Sequence, residues 1–540
     1  MSQSIKQPIF IMCLLGIVIG GCSKPQNHDA QSQTTQNQSK HPDYLRIPLD
    51  YSIPTIDPGL IDTANSIEIV EQLFLGLTRF EPKTYKVVPE LATDWQVNED
   101  GTVYTFQLRQ DAKWSNGDPV TAHDIVWAIR RNRAPEMNAP YAYTLDILKN
   151  AKAIDDYTVE FTLEHAAGYF PALVSLWTYR PLPRKVIEKQ GKNWIEPAYI
   201  QTNGPYKLTE WHKDDKLVLQ KNTQYYDANK VQISAIHYHI IPDPILGLAM
   251  YEHNELDIIG REYLTLPQMA VPRISSDARL RREVHYSISF CTAFYGFNTQ
   301  KPPMDNVLVR KAIAAAIDKQ VINDFVIWGI NSPATTFTRP PIFGSVEPQE
   351  KVGIPFDPKQ AKAWLAEAGY PEGKGFPEEV VLLYKMTHTG IPGDIANAVK
   401  QMLKYYLNIE IVIKGIEDDG EYFQQIEQPA TPHIFRMYWC TEYPDANNWL
   451  YEAFHPDNGY QWLGWKNREF AEAVEEAQRI SDAKERKQLY HRAEEILTEE
   501  QAAIVPLFFT NTQFLVKPWV KGWYNMAFGG QRIRDWRLED

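Results

Sequence analysis

The chain has 540 residues, too many for one compact core, so length alone predicts more than one domain. Its 44% hydrophobic and 23% charged residues are the balance of a globular protein. A formal net charge of −13, with no long run of Lys and Arg, excludes a nucleic-acid binder, which needs a basic footprint.

The N-terminus carries Lys6 and then "IFIMCLLGIVIGG", an apolar run shorter than the ~20 residues a membrane span needs. A charged start, an apolar middle and small residues at the end describe a secretory signal over residues 1–21. "IGGC" resembles a bacterial lipobox, which makes Cys22 the expected lipidated first residue of the mature chain. Residues 22–42 are mostly Gln, Ser, Thr, Asn and Lys, which cannot pack and read as a flexible tether.

Past the tether, "YLRIPLDYSIPTIDPGL" predicts a strand and a turn at Asp57-Pro58-Gly59, with a helix following near "SIEIVEQLFLGL". Asp100-Gly101 is a hairpin signal, and Tyr104, Phe106 and Leu108 alternate as a half-buried strand does. Asn116-Gly117 turns the chain again. Thr121 and Asp124 form a capping-box start for a helix with Ile125, Ala128 and Ile129 on one face. "DYTVEFTLE" reads as a strand, and "TNGPYKLTEWHKDDKLVLQKN" as a hairpin turning near Lys213 to Asp215. "ISAIHYHII" reads as a strand with His237 and His239 on one face, without further ligands that would make a metal site.

From Cys291 onward the texture is more helical. "VRKAIAAAIDKQVI" predicts one helix capped by Asp305 or Asn306, and "DPKQAKAWLAEAGY" another ended by Gly369. "EEVVLLY" and "NIEIVIKGI" flank the helical "DIANAVKQMLKYY", a βαβ rhythm that implies a parallel or mixed sheet. "REFAEAVEEAQRISDAKERKQLYHRAEEILTEE" supplies two amphipathic helices, and "AAIVPLFFTNTQFLVKPWVKGW" closes with strands. The expected architecture is α/β with two lobes and a cleft between them. The expected boundaries are a first lobe at 43–290 with an extra subdomain at about 75–195, a second lobe at 291–510, and a return to the first over 511–540.

The chain has four cysteines. Cys13 leaves with the signal and Cys22 takes the lipid, so Cys291 and Cys440 remain, in an oxidising compartment where one disulfide is expected. No C-x-x-C or H-E-x-x-H occurs to favour a metal site, and no metal or other cofactor is expected.

"ELATDWQVNEDGTVYTFQLRQDAKWSNGDPVTAHD" closely resembles the signature segment of the family 5 extracellular solute-binding proteins. "TNGPYKL", "YGFNTQKPPMDNVLVRKAIAAAID", "WLAEAGYPEGKGFP", "AAIVPLF" and "LVKPWV" extend the likeness over nearly all the mature chain. The resemblance implies a type II periplasmic-binding-protein fold of the large, peptide-binding subclass. It implies a lipid-anchored, monomeric receptor that delivers short peptides to an inner-membrane ABC permease from the periplasm or cell envelope. In the oligopeptide branch a disulfide joins the positions of Cys291 and Cys440, and the acid two residues further on takes the ligand's α-ammonium. Here that acid is Glu442, one methylene longer than the usual Asp, with Asp445 as a second candidate. The resemblance also places Tyr141, Trp439, Cys440 and Arg436 against the ligand, and Asp62 and Ala64 on an edge that pairs with its backbone. A second framing tyrosine of the branch is Thr510 here, and one of its arginines falls at Glu427.

Other readings use the same residues. Relatives on this scaffold bind nickel chelates, haem, murein peptides or oligosaccharides. An exported hydrolase would need paired carboxylates, for which "EDDGE" and "EYPD" are the candidates. No G-x-S-x-G motif is present.

Overall fold

The Asp100-Gly101 signal closes a hairpin of Ala92–Val97 and Val103–Leu108, with Gly101 at φ +68° where the turn needs a left-handed residue. The computed structural model describes residues 41–540 apart from 261, 262, 388, 428 and 458. The signal segment, Cys22 and the tether up to residue 40 lie outside the described residues. The hairpin belongs to an antiparallel four-stranded sheet completed by Thr158–Leu163 and Leu148–Asp155. Thr121 and Asp124 form the expected capping box at the head of helix Ala122–Arg133. A second four-stranded sheet runs Leu45–Leu49, Ala235–Ile240, Lys216–Lys221, Tyr206–His212, its first pair parallel. One apolar core serves both sheets, with Leu45, Phe106, Tyr206 and Trp536 among its buried members.

The third sheet is mixed. Its order is Ile258–Gly260, Ile504–Val516, Val284–Phe297, Ile434–Cys440, Val381–Lys385, Val412–Ile416, with Ser332–Pro333 beside Ile504–Val516. The βαβ unit is there: Val381–Lys385 and Val412–Ile416 are parallel and joined through helix Ile391–Leu407. Alternating side chains separate two further cores, Phe294 and Phe435 in one, Tyr295 and Ile434 in the other.

The helix expected over "VRKAIAAAIDKQVI" is two helices. Asn306 caps Val307–Ala316, Ile317 turns extended at φ −92°, ψ 107°, and Asp318 caps Lys319–Phe325 by accepting from the Val321 N–H. A second N-cap residue inside the run wins over its helix propensity.

Two long strands tie the cores together. Ile504–Val516 contributes Ile504 and Leu507 to the cores of the mixed sheet, and Phe514 to the core of the four-stranded sheets. Its antiparallel partner Val284–Phe297 follows the same course, with a register shift between Ile288 and Thr292. Cys291 and Cys440 are directly opposed in the neighbouring pair and form a disulfide. At a sequence separation of 149, the crosslink restricts the unfolded chain by roughly 4–5 kcal/mol on the chain-entropy model. Among the described residues no helix is long and apolar enough to cross a membrane.

Candidate functional site

The strand Ile434–Cys440 sets the site. Along one side it pairs with Val284–Phe297 over its whole length. On the other side only Ile434 and Phe435 have a strand neighbour, so among the described residues the edge from Arg436 to Cys440 is open. The Arg436 carbonyl already accepts from the Tyr422 hydroxyl, and beyond it the open edge is a template for one more strand.

Strand alternation splits the predicted residues between two faces. Trp439 packs against the core that holds Phe435 and Met437, and meets Tyr460 at 5.8 Å and Trp462 at 6.5 Å between ring centroids. Its indole N–H is buried with no acceptor. Arg436 lies on the other face, its guanidinium 4.3 Å above the Tyr438 ring and donating to the Tyr438 hydroxyl.

Beyond the disulfide the chain turns out of the sheet and presents Glu442. Its backbone N–H donates to Asn448 Oδ1 at 3.0 Å, and its carboxylate accepts from the Tyr143 hydroxyl. Asn448 donates from Nδ2 to Glu452 at 2.5 Å, and the Tyr443 hydroxyl donates to the other Glu452 oxygen. Asn448 and Glu452 share a helical face by their spacing of four. Tyr443 stacks on Tyr169 at 5.7 Å. Among the described residues no basic side chain forms an ion pair with Glu442 or Glu452. Burial pushes the Glu442 carboxyl up, against the Tyr143 hydrogen bond. Burial pushes Glu452 up to about 7; the bonds from Tyr443 and Asn448 oppose the rise, while the Glu442 and Asp445 charges add to it. Two carboxylates within reach of each other's charge and short of a counter-charge among the described residues are suited to receive a cation.

Asp445 is differently placed. It is buried, and Arg486 Nη2 donates to both its oxygens at 2.9 and 3.0 Å. Its charge is already met inside the protein. Thr510 is buried beside the disulfide, its hydroxyl donating to Cys291 O at 3.3 Å and its carbonyl accepting from Arg339. Tyr141 is partly buried, edge-on to Trp177 at 5.0 Å and 6.1 Å from Tyr143. Burial and the Glu442 and Asp62 charges push its hydroxyl up, which places both acids in its surroundings. Asp62 and Ala64 are exposed, and Thr63 between them caps helix Ala64–Leu73.

The Glu442 and Asp62 charges both act on Tyr141, and the Glu442 charge also acts on Tyr460, the ring neighbour of Trp439, whereas Asp445, Thr510 and Arg436 bond within the protein. The sequence reading missed Tyr143, Glu452, Tyr460 and Trp462. The first stands two residues from Tyr141, and Glu452 four from Asn448. His237 and His239 line no site; His237 stacks on Tyr44 at 4.0 Å. Of the acids in "EDDGE", Asp418 caps helix Asp419–Ile426 and Asp419 pairs with Lys385.

The mixed α/β architecture, with two sets of cores joined by paired long strands, is that of a periplasmic binding protein. The family model for bacterial extracellular solute-binding proteins, family 5, matches residues 86–461, and the chain belongs to that family. It is 31% identical over 491 residues to the periplasmic oligopeptide-binding protein OppA of Salmonella typhimurium, covering 87% of this chain and 88% of that one. The unliganded open form of the murein tripeptide-binding protein MppA superposes with a TM-score of 0.81 at 25% identity, over 93% of this chain and 98% of that one. OppA of Haemophilus influenzae in complex with the peptide RPPGFSPFR superposes at 0.67 and 27% identity, over 92% and 100%.

Proposed function

We propose that this protein is the receptor of an ABC importer and takes short peptides, in extended form, into a cleft between two lobes. The first lobe is 43–290, completed by 511–540 and carrying a subdomain at about 75–195; the second is 291–510. The peptide α-ammonium sits between Glu442 and Glu452, and its backbone adds as a strand to the open edge ending at Cys440. Asp62 and Ala64 face it from the first lobe, and Trp439, Tyr460 and Trp462 wall the first side-chain pocket. Lobe closure then encloses the ligand.

One observation carries the reading: among the described residues, a strand edge without a strand neighbour runs directly into carboxylates that lack a basic partner. A peptide's only constant features are its backbone and its terminal charges, and this arrangement answers the backbone and the amine. The likeness to peptide-binding relatives over most of the chain supports the same assignment. Lipid attachment at Cys22, a place in the periplasm or cell envelope and delivery to a membrane permease belong to the proposal, as does a monomeric state.

Titration calorimetry with tri- to pentapeptides and their N-acetylated forms tests it. Free peptides should bind with acetylation costing most of the affinity. Equal affinity for both forms would remove the amine anchor, and no binding by either would remove the peptide.

A further inference from the structure

A second charged site lies away from the carboxylates, between the last turn of helix Ala64–Leu73 and the C-terminal segment. A cavity there is lined by Arg79, Arg180, Arg532 and Arg534 against only two acids, Glu71 and Glu90. Glu90 takes Arg534 through both oxygens at 3.0 and 2.7 Å and Arg79 at 3.1 Å. Arg180 pairs with Glu71 and donates to the carbonyls of Val70 and Phe74 at 3.0 and 2.8 Å. These bonds take both oxygens of Glu90 and one of Glu71.

Arg532 is left over. It is 8% exposed, and its Nε is buried without an acceptor among the described residues. Its ion pairs, to Glu71 and Glu90, are both long at 3.6 Å. Two more donors on the same cavity, Arg180 Nε and the indole N–H of Trp177, are buried without an acceptor. Glu68 lies behind Gly530 and is engaged by the Gln531 N–H at 2.7 Å and the Tyr238 hydroxyl at 3.0 Å. A Cβ at Gly530 would stand 2.7 Å from the Glu71 Cβ and 2.9 Å from the Glu68 Cα, so the C-terminal segment closes on the helix only as glycine. The space open to the centre of a water molecule is about 30 Å³, whereas one water needs roughly 10–15 Å³. That admits a halide or a single carboxylate group and nothing larger.

We propose that this cavity binds one small anion, with Arg532, Arg180 Nε and Trp177 Nε1 as its donors. A buried guanidinium fork short of acceptors, two further orphan donors and an excess of arginine over glutamate are all answered by one negative charge. Burial, with the Arg534 and Arg79 charges, pushes the Arg532 guanidinium down against Glu71 and Glu90, and an anion would oppose that push. The site stands independently of the peptide reading. Its occupant is a free anion such as chloride, or the carboxylate of a bound ligand reaching past Trp177, whose ring packs on Tyr141.

Crystals of the protein soaked in sodium bromide are the direct test. An anomalous bromide peak within hydrogen-bond distance of Arg532 is the expected result, and a cavity without one overturns the proposal. In solution, the thermal midpoint in chloride should exceed that in gluconate at equal ionic strength by about 2 °C or more, because a ligand of the folded state raises it. Arg532→Gln should abolish that difference; its persistence in the variant would overturn the proposal even if bromide binds elsewhere as an adventitious ion only. The two sources separate by competition. If a ligand carboxylate uses the site, chloride weakens free-acid peptides and not their C-terminal amides. If a free anion is the occupant, chloride leaves both affinities unchanged.

Discussion

Glu90 and Glu452 are both glutamates drawn out of bulk water, and their surroundings drive them in opposite directions. Burial pushes each carboxyl up. Around Glu90, Arg534, Arg532 and Arg79 outweigh that push and hold it at about 2. Glu452 has hydrogen bonds from Tyr443 and Asn448 but, among the described residues, no cation, and stays at about 7. Among the described residues the fold supplies a counter-charge in the first case and none in the second. The same contrast separates Asp445, bound by Arg486, from Glu442 three residues before it.

Removing each charge in turn tests the comparison most severely. Glu90→Gln strips the partner from buried arginines and should cost ~3–5 kcal/mol, the scale for breaking a buried pair from one side. Glu452→Gln removes a charge the protein holds at a cost, and at pH 8 should change stability by less than ~1 kcal/mol. Urea unfolding of the two variants measures both, and equal losses would erase the distinction. The acid dependence follows in sign. The Glu90 carboxyl is lowered in the folded state, so its stabilisation is present above the ordinary value of 4.5 and disappears as pH falls through about 2. The Glu452 carboxyl is raised, so its contribution is full below 4.5 and is lost as pH rises through about 7.

Glu442→Gln should leave the unfolding midpoint almost unchanged and weaken peptide binding by ~2–5 kcal/mol, roughly 30- to 5000-fold. N-acetylation of the peptide should cost wild type about as much and the variant little more, since both changes delete the same pair. Full additivity of the two losses would place the amine elsewhere.

A smaller effect is expected from pH. The ligand ammonium favours ionised Glu452, so binding should release protons below about 7 and affinity should fall as pH drops toward 4.5. The expected loss between pH 7.5 and 5.5 is about tenfold, corresponding to a shift of one unit. Calorimetry in buffers of different ionisation enthalpy counts the protons. Glu452→Gln should flatten the profile, and an unflattened one would assign the protons to another group.

Local signals in the sequence were read well because local physics decides them. The Thr121 capping box, the Asp100-Gly101 hairpin and the βαβ rhythm need only neighbours a few residues apart. Cys291 and Cys440 were paired by count and compartment, with no need of distance. The site was legible only in part. Glu442, Tyr141, Asp62 and Trp439 were marked by family likeness, but nothing near Asp445 in sequence announces Arg486, 41 residues on. The arginine cavity has no sequence signature, because Glu90 and Arg534 stand 444 residues apart. Glu452 was overlooked because its spacing to Asn448 predicts a shared helix face and not that the face lacks a cation.

The finest test concerns the one hydroxyl on Glu442. Tyr143 donates to that carboxylate and so counters the push of burial on it. Tyr143→Phe removes the bond without touching the charge, and should raise the Glu442 carboxyl further. A carboxylate has room for an ammonium alongside the phenol, so the hydroxyl need not leave when a ligand arrives. Well above the carboxyl's range, at pH 8, the variant should therefore bind peptide almost as tightly as wild type. As pH is lowered, to pH 5 for example, more of Glu442 is protonated in the variant than in wild type, and affinity should drop by about threefold relative to wild type, in line with one modest hydrogen bond. Tighter binding in the variant at both values would show instead that the phenol competes with the ligand for Glu442, and that closure must first break this contact.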